Sequence, residues 1–327
     1  MIIPSIKKYF NYIFIISFTM ILFWFLYLDD HRKTYPYLSN NPNILNIAHR
    51  GGLGLSPENT IVSFQRAIKE RADILELDIR STSDSILVLL HDETVDRTTD
   101  GKGRISELTL KEAKKLNAGY WWTDDDSISF PFRTLNIKIP TFDEFLTNFK
   151  DFKLNIEIKQ HDKFIAKKLC ESIKENQIED NVVIGSFNDE VLDEFRYHCP
   201  DIATSPGRDE IRTFYGFSYI YLDKFYSPKS DIYQLPEFFG TTHVLTERFV
   251  NGIKQKNIPI FVWTVNDPDE MQRFISLGVK GIITDYPNRL SKVLNDYNLS
   301  LIHISEPTRL LSISYCGLGV EKKMGGG

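Results

Sequence analysis

Between Ile44 and Leu294, short apolar runs alternate with amphipathic segments, and this alternation constrains the fold more than any other feature of the chain. Strand-like runs are read at Ile44–Ala48, Ile74–Ile79, Ile86–Leu90, Lys153–Ile158 and Val182–Ser186, then at Ile258–Val265 and Gly281–Thr284. Helical spacing follows Asn59, where Ile61, Phe64, Ala67 and Ile68 share one face and Asn59 or Thr60 suits the N-cap. Further helices are expected at Lys163–Glu175, Asp189–Tyr197 and near Asp269–Leu277. Parallel neighbours are reached only through a crossover, so strands alternating with helices imply a parallel sheet. The 251 residues of this region match the usual size of a (β/α)8 barrel, the TIM barrel of the α/β class. Two of the eight strands are expected within residues 200–245, where the pattern is least regular. The stretch Asp96–Pro140, rich in turn residues and carrying Trp121-Trp122, reads as an excursion after the third strand that returns at Ile139-Pro140.

Both ends depart from this pattern. From Tyr9 to Leu28 run 20 residues without a charge, and at about 1.5 Å per residue they span roughly 30 Å, the thickness of a bilayer core. Tyr9, Tyr12, Trp24 and Tyr27 lie towards its ends, where amphipathic rings favour the interface. Leu26-Tyr27-Leu28-Asp29 offers no small-residue cleavage site, so residues 1–33 read as an uncleaved single-pass membrane anchor with its flanks. Lys7 and Lys8 nearly balance Arg32 and Lys33; the positive-inside rule gives a weak vote for the N-terminus inside and the bulk of the chain outside the cytoplasm. At the other end, Leu299–Arg309 reads LSLIHISEPTR and resembles the translation of a sequencing adaptor. Residues 299–327 are therefore read as a non-native tail, which leaves 34–298 as the folded domain.

Composition excludes several classes. With 42% hydrophobic and 25% charged residues the chain is neither disordered nor polytopic. A net charge of -5 gives no basic surface for nucleic acid, and no protein partner is implied. Three cysteines are too few for a disulfide framework; a Cys170–Cys199 bridge is compatible with the sequence, but nothing in it supports one.

The polar residues at the expected strand ends carry the chemistry. His49 and Arg50 follow the first strand, and His91-Asp92 follows the third. Glu76 and Asp78 lie two apart and share a face of their strand, as do Glu157 and Lys159 at the end of theirs. In a barrel such positions converge on the C-terminal mouth. Three carboxylates brought together repel one another, so one must hold a proton unless a hard divalent cation joins them. Two imidazoles can serve as acid and base, and Arg50 and Lys159 suit a phosphate oxyanion. Taken singly, an acid at a strand edge is ordinarily solvated and a histidine ordinarily structural. The same-face pairs on two strands carry the argument, and they point to phosphoryl chemistry. Gly51-Gly52-Leu53-Gly54 between strand and helix also suggests a dinucleotide-binding turn, but the third glycine of that motif falls at Pro57.

Seven segments together resemble the glycerophosphodiester phosphodiesterase family. They are Ala48-His49-Arg50-Gly51, Pro57-Glu58-Asn59-Thr60 and Glu76-Leu77-Asp78-Ile79; His91-Asp92-Glu93-Thr94 with Asp96-Arg97-Thr98-Thr99-Asp100-Gly101; and Asn155-Ile156-Glu157-Ile158-Lys159. Trp263-Thr264-Val265-Asn266 and Gly281-Ile282-Ile283-Thr284-Asp285-Tyr286-Pro287 complete the order. The resemblance implies a TIM barrel with a small insertion after the third strand. It implies a divalent metal, Ca²⁺ or Mg²⁺, held by Glu76, Asp78 and Glu157, with His49 and His91 as the acid/base pair. Arg50 and Lys159 would contact the phosphate, and Trp263 would line the glycerol side. The implied reaction is hydrolysis of glycerophosphodiesters to sn-glycerol 3-phosphate and an alcohol, with water or the glycerol 2-hydroxyl as nucleophile. One alternative is a lysophospholipase D, whose site an anchor would hold near lipid. Another is a non-catalytic binder of glycerophosphate ligands, against which the intact histidines and acids argue.

Overall fold

The period-2 alternation along each strand sorts side chains onto two faces. On one face Leu75, Leu77, Leu154, Ile156, Val182 and Ile184 pack against helices that contribute Phe64, Phe145, Ile165 and Phe195. On the other, Leu45, Ile47, Ile74, Val183, Ala203, Phe261 and Ile283 meet one another, so the sheet has curled to enclose them. The computed structural model describes residues 9, 12–20, 37 and 44–305, with the backbone course alone for 298–305.

Among the described residues eight strands run parallel. They are β1 (Leu45–Ala48), β2 (Ile74–Ser81), β4 (Lys153–Ile158), β5 (Val182–Gly185), β6 (Ala203–Thr204), β7 (Tyr233–Pro236), β10 (Ile260–Trp263) and β11 (Gly281–Thr284). Their order is β6-β5-β4-β2-β1-β11-β10-β7, a TIM-barrel-like curl in which the chain's first and last strands pair from Leu45↔Gly281 to Ala48↔Thr284. The outermost strands of that order, β6 and β7, meet at a seam. There Asp231 N donates to Thr204 O at 2.9 Å, and the Asp231 carboxylate accepts from Thr204 N at 2.9 Å. Both strands expected within 200–245 are present, and their shortness explains the weak signal.

One expectation changes, and one possibility that the sequence left open is met. Leu87–Leu89, read as the third barrel strand, is β3 and pairs antiparallel with the end of β2, Ile79 against Leu89. The excursion therefore follows the second parallel strand and packs a small core of its own, with Val88, Val95, Ile105 and Ile139. It is tied back where Trp122 Nε1 donates to Leu53 O at 2.8 Å. A three-residue apolar run cannot report its own direction, because parity is the same either way. Secondly, Cys170, in the helix Lys163–Glu175, forms a disulfide with Cys199, which caps the C-terminus of the helix Asp189–His198. Only the packing of those helices brings the two cysteines together.

At the N-terminus Tyr9 and residues 12–20 are helical. Among the described residues no helix is long and apolar enough to cross a membrane. The expected Tyr9–Leu28 span lies in large part outside the described residues, as does the tail beyond residue 305.

Candidate active site

The loop after β1 builds the first part of the site. Ala48 ends the strand, and a 3-10 turn over His49–Gly51 follows, with Arg50 at φ 51°, a conformation uncommon outside glycine. The turn directs Arg50 N to Glu76 Oε2 at 2.6 Å and Arg50 Nε to Asp78 Oδ2 at 3.3 Å. Gly51 has φ +80°, and a Cβ there would lie 2.4 Å from Ser63 Oγ. Only glycine lets the turn close over the helix Ile61–Lys69, which Thr60 caps by accepting from Ser63 N. Asn59, the other candidate cap, instead donates from its amide to Asp78 Oδ2 at 2.9 Å and accepts from Asp78 N at 3.1 Å.

The strands supply the acids. Register sets Asp78 opposite Glu157 and Glu76 opposite Asn155 across β2 and β4. Glu76, Asp78 and Glu157 each offer an oxygen, and these atoms all lie within 4.8 Å of one another. Burial and the neighbouring Asp78 push the Glu76 carboxyl up to about 7. Burial, with Asp78 adding to it, also raises Glu157. Burial works against charge on Asp78 as well, but Lys159 and Arg50 outweigh it and hold Asp78 below the usual carboxylate range. Lys159 Nζ lies 2.7 Å from Glu157 Oε1 and 3.4 Å from Asp78 Oδ1. Among the described residues Asp78 Oδ1 has no donor aligned on it, and Glu157 Oε1 has Lys159 alone. Buried, mutually repelling oxygen donors with spare lone pairs fit a hard divalent ion. These three carboxylates form a group able to hold a metal.

Two imidazoles flank the acids in different surroundings. His49 Nδ1 lies 2.6 Å from Asp285 Oδ1, and Asp285 is fixed in turn by Asn266 Nδ2 at 2.6 Å. Burial lowers His49, but the Asp285 hydrogen bond and Glu76 outweigh it, so its pKa is raised. His91 Nδ1 lies 2.7 Å from Asp92 Oδ1; burial, helped by Lys159 and Arg50, lowers its pKa against the pull of Asp78. The excursion is clasped over this side by Arg97, which donates to Glu58 Oε2 at 2.7 Å and to Asp92 Oδ2 at 2.6 Å.

A cavity of about 200 Å³ opens at the C-terminal ends of the strands, walled by His49, Arg50, Glu76, His91, Glu157, Lys159 and Trp263. Asp78 lies just beneath, fully buried. All eight residues singled out from the sequence thus converge on one place. Asp285, Asn266, Asp92, Glu58 and Arg97 carry no role in the sequence reading, and Asn59 is read there only as a candidate N-cap. Each sits inside a quoted motif, which was the available signal, but Asp285, Glu58 and Asn59 meet partners distant in sequence, while Asp92 pairs locally with His91 and Arg97.

A sequence profile of the Glycerophosphoryl diester phosphodiesterase family matches residues 49–289. A glycerophosphodiester phosphodiesterase of Caldanaerobacter subterraneus subsp. tengcongensis is 38% identical over 250 residues, covering 75% of this chain and 95% of that protein. A lysophospholipase D of Mus musculus is 25% identical over 298 residues, covering 83% and 91%. Among solved structures, a phosphodiesterase of Oleispira antarctica in complex with the product sn-glycerol-3-phosphate superposes with a TM-score of 0.61. It has 24% identity, and the match covers 78% of this chain and 97% of that one.

Proposed function

This chain belongs to the glycerophosphoryl diester phosphodiesterase family, and from that premise we propose that it hydrolyses glycerophosphodiesters to sn-glycerol 3-phosphate and an alcohol. The observation that carries the reading is one cavity walled by two imidazoles, two cations and acids drawn from separate strand ends. That is the inventory for a phosphoryl group that gains charge while one bond forms and another breaks.

Glu76, Asp78 and Glu157 would hold a divalent ion, Ca²⁺ or Mg²⁺, which supplies Lewis-acid polarisation of the phosphoryl oxygens when bound. Arg50 and Lys159 offer N–H donors to the same phosphate. Asp285 favours the charged form of His49, which suits it to give a proton to the departing alkoxide from Nε2. His91, held towards the neutral form, suits removal of a proton from the nucleophile, either water or the glycerol 2-hydroxyl. Trp263 offers its ring face to the glycerol. Sugar-like hydroxyls and aromatic faces pair well because the C–H edges of glycerol are apolar while its O–H groups reach outward.

The test is release of glycerol 3-phosphate from glycerophosphocholine, with and without a chelator. Release abolished by chelation and restored by Mg²⁺ or Ca²⁺ supports the reading; release indifferent to the chelator removes the metal from it, and no release defeats it. A second reading, lysophospholipase D activity, is favoured by an apolar cavity that shares Phe187, Ile211 and Trp263 with the polar one.

The placement of the enzyme is part of the proposal. Residues 1–33 form a membrane anchor, 34–298 the catalytic domain outside the cytoplasm, and 299–327 a non-native tail. The Cys170–Cys199 disulfide supports an oxidising compartment. Protease digestion of intact cells tests this, and a protected catalytic domain reverses the topology.

A further inference from the structure

The barrel has two ends, and exposed aromatic side chains collect at each. At the mouth, the hairpin of β8 (Phe238–Phe239) and β9 (Thr242–His243) follows the C-terminal end of β7. The helix Arg208–Tyr219 also starts there, just after Pro206 in the wall of the polar cavity. It runs down the outside of the barrel for 12 residues, a rise of about 18 Å, and stops at the N-terminal ends of the strands, on the barrel floor. There Tyr219, Ile220 and Tyr221 are 77%, 58% and 73% exposed, and Leu222 and Phe225 are exposed beside them. The helix closes in a turn where Leu222 N donates to Phe217 O at 2.8 Å and Tyr221 N to Ser218 O at 3.2 Å. Tyr221 holds φ at 61°, the position of this cap where glycine is usual and a bulky side chain is strained. The turn thus carries an aromatic ring into solvent where a ring lowers its stability.

Where the chain enters the domain decides between the two ends. Tyr37 is buried in the lower layer of the barrel with Leu45, Ile47 and Ile74. Its carbonyl accepts from Nζ of Lys153, the first residue of β4. The N-terminal segment therefore meets the domain at the floor. Nine peptide steps lead from Leu28 to Tyr37, at most about 32 Å when fully extended. To bring the mouth against a bilayer, that segment would pass outward beneath the strand and helix layers, about 17 Å, and then climb the roughly 18 Å of a helix. The tether falls short of that path and serves easily for the floor. Two lysines edge the floor patch: Lys224 Nζ lies 4.8 Å from the Phe225 ring centroid, and Lys256 donates to Lys224 O at 3.4 Å. Tyrosines beside lysines over an apolar strip are the composition of a membrane interface, where rings sit at headgroup level and ammonium groups reach phosphates. We propose that residues 219–222 and Phe225 rest the barrel floor on the bilayer that holds this chain's own N-terminal anchor. The proposal rests on the anchor reading above and is independent of the activity. The mouth then opens away from the lipid, and the diester arrives from the aqueous side.

The full chain carrying Cys316→Ser, whose other two cysteines are joined, is inserted into preformed phosphatidylcholine–phosphatidylglycerol vesicles and floated on a density gradient. A fluorophore is attached through Tyr219→Cys on the floor or Phe239→Cys at the mouth. Expected is quenching at 219 by a lipid with a nitroxide headgroup, together with protection from aqueous iodide, and the reverse at 239. Quenching by the lipid at 239, or at both positions alike, overturns the proposal. A chain that floats with neither position quenched also overturns it and leaves the anchor standing. A chain that does not float defeats the anchor reading, and the proposal with it. A second variant separates the patch from the tether. Ile220→Ser with Tyr221→Gly keeps the cap, because glycine suits its left-handed position, and should not lower Tm. It should reduce lipid quenching of a label at Lys224→Cys by about threefold or more. Unchanged quenching there shows that the patch does not dock, and overturns the proposal.

Discussion

Two positions along the same strands separate the packed interior from the charged mouth. Ile47 precedes His49 by two residues, Ile74 precedes Glu76, and Phe261 precedes Trp263, each pair on the inward face. The lower layer is Leu45, Ile47, Ile74, Val183, Ala203, Phe261 and Ile283, interlocked closely enough that a Cβ on Gly281 would lie 2.7 Å from the Phe261 ring. The upper layer holds acids and cations whose charge states are set by burial together with their mutual attraction and repulsion. The difference shows how the barrel divides its labour. Apolar side chains below fix the strand ends in space, and that rigidity lets strongly interacting charges be held close above.

Five substitutions can break or sharpen this contrast. His49→Ala and His91→Ala, in the upper layer, should each lower kcat by about 10²–10⁴-fold with little change in Tm. Steady-state kinetics beside calorimetry would show it, and near-normal turnover in both would remove their roles. Phe261→Ala, in the lower layer, should cost about 3–5 kcal/mol of stability, a fall in Tm of roughly 10 °C for a domain of this size. Its kcat at a temperature where it remains folded should stay within about an order of magnitude. A stable but inactive Phe261→Ala would show that the layers are not separable in this way.

Asp285→Asn probes a residue that belongs to neither layer but orients the upper one. It should lower kcat by about 10- to 100-fold, less than loss of the imidazole itself. Asp285 helps hold the His49 pKa up, so its removal lowers that pKa. A general acid works while protonated, and the high-pH limb of kcat/KM should therefore move to lower pH. A profile that only scales down, without moving, would make Asp285 structural.

The smallest effect is expected at the clasp of the excursion. Burial disfavours the Asp92 charge, yet the Arg97 hydrogen bond, with His91, holds its pKa down from 3.8 to about 2. A folded-state pKa below the unfolded one stabilises the protein above the unfolded value, and the contribution is lost as pH falls through the folded value. Asp92→Asn should thus cost on the order of 1 kcal/mol near neutrality, as befits a partly exposed pair. The difference from the parent should shrink between 3.8 and about 2. A constant difference in Tm across that window would show that the carboxylate charge contributes nothing.

How far the sequence reached follows from the range of the forces involved. Periodicity is local, so the strands and helices from Ile74 to Ile79 and from Lys163 to Glu175 were legible, as was the shared face of Glu76 and Asp78. The short β6 and β7 were barely so, because two to four residues hardly establish a period. The parallel class, the barrel-sized region and the family motifs also came from the chain alone, together with the eight residues that meet at the mouth. What the sequence could not show depends on which distant segments become neighbours. Asp285 reaches His49 across 236 residues only because β11 pairs with β1. Glu58 meets Arg97, which pairs locally with Asp92, only because β3 turns back antiparallel and folds the excursion over the mouth. Cys170 and Cys199 bond because two helices pack side by side, and the apolar cavity exists only between a helix and a hairpin that share no sequence signal. Local propensity sets each segment's conformation and facing; register, strand direction and loop closure act between segments, and only the folded chain decides them.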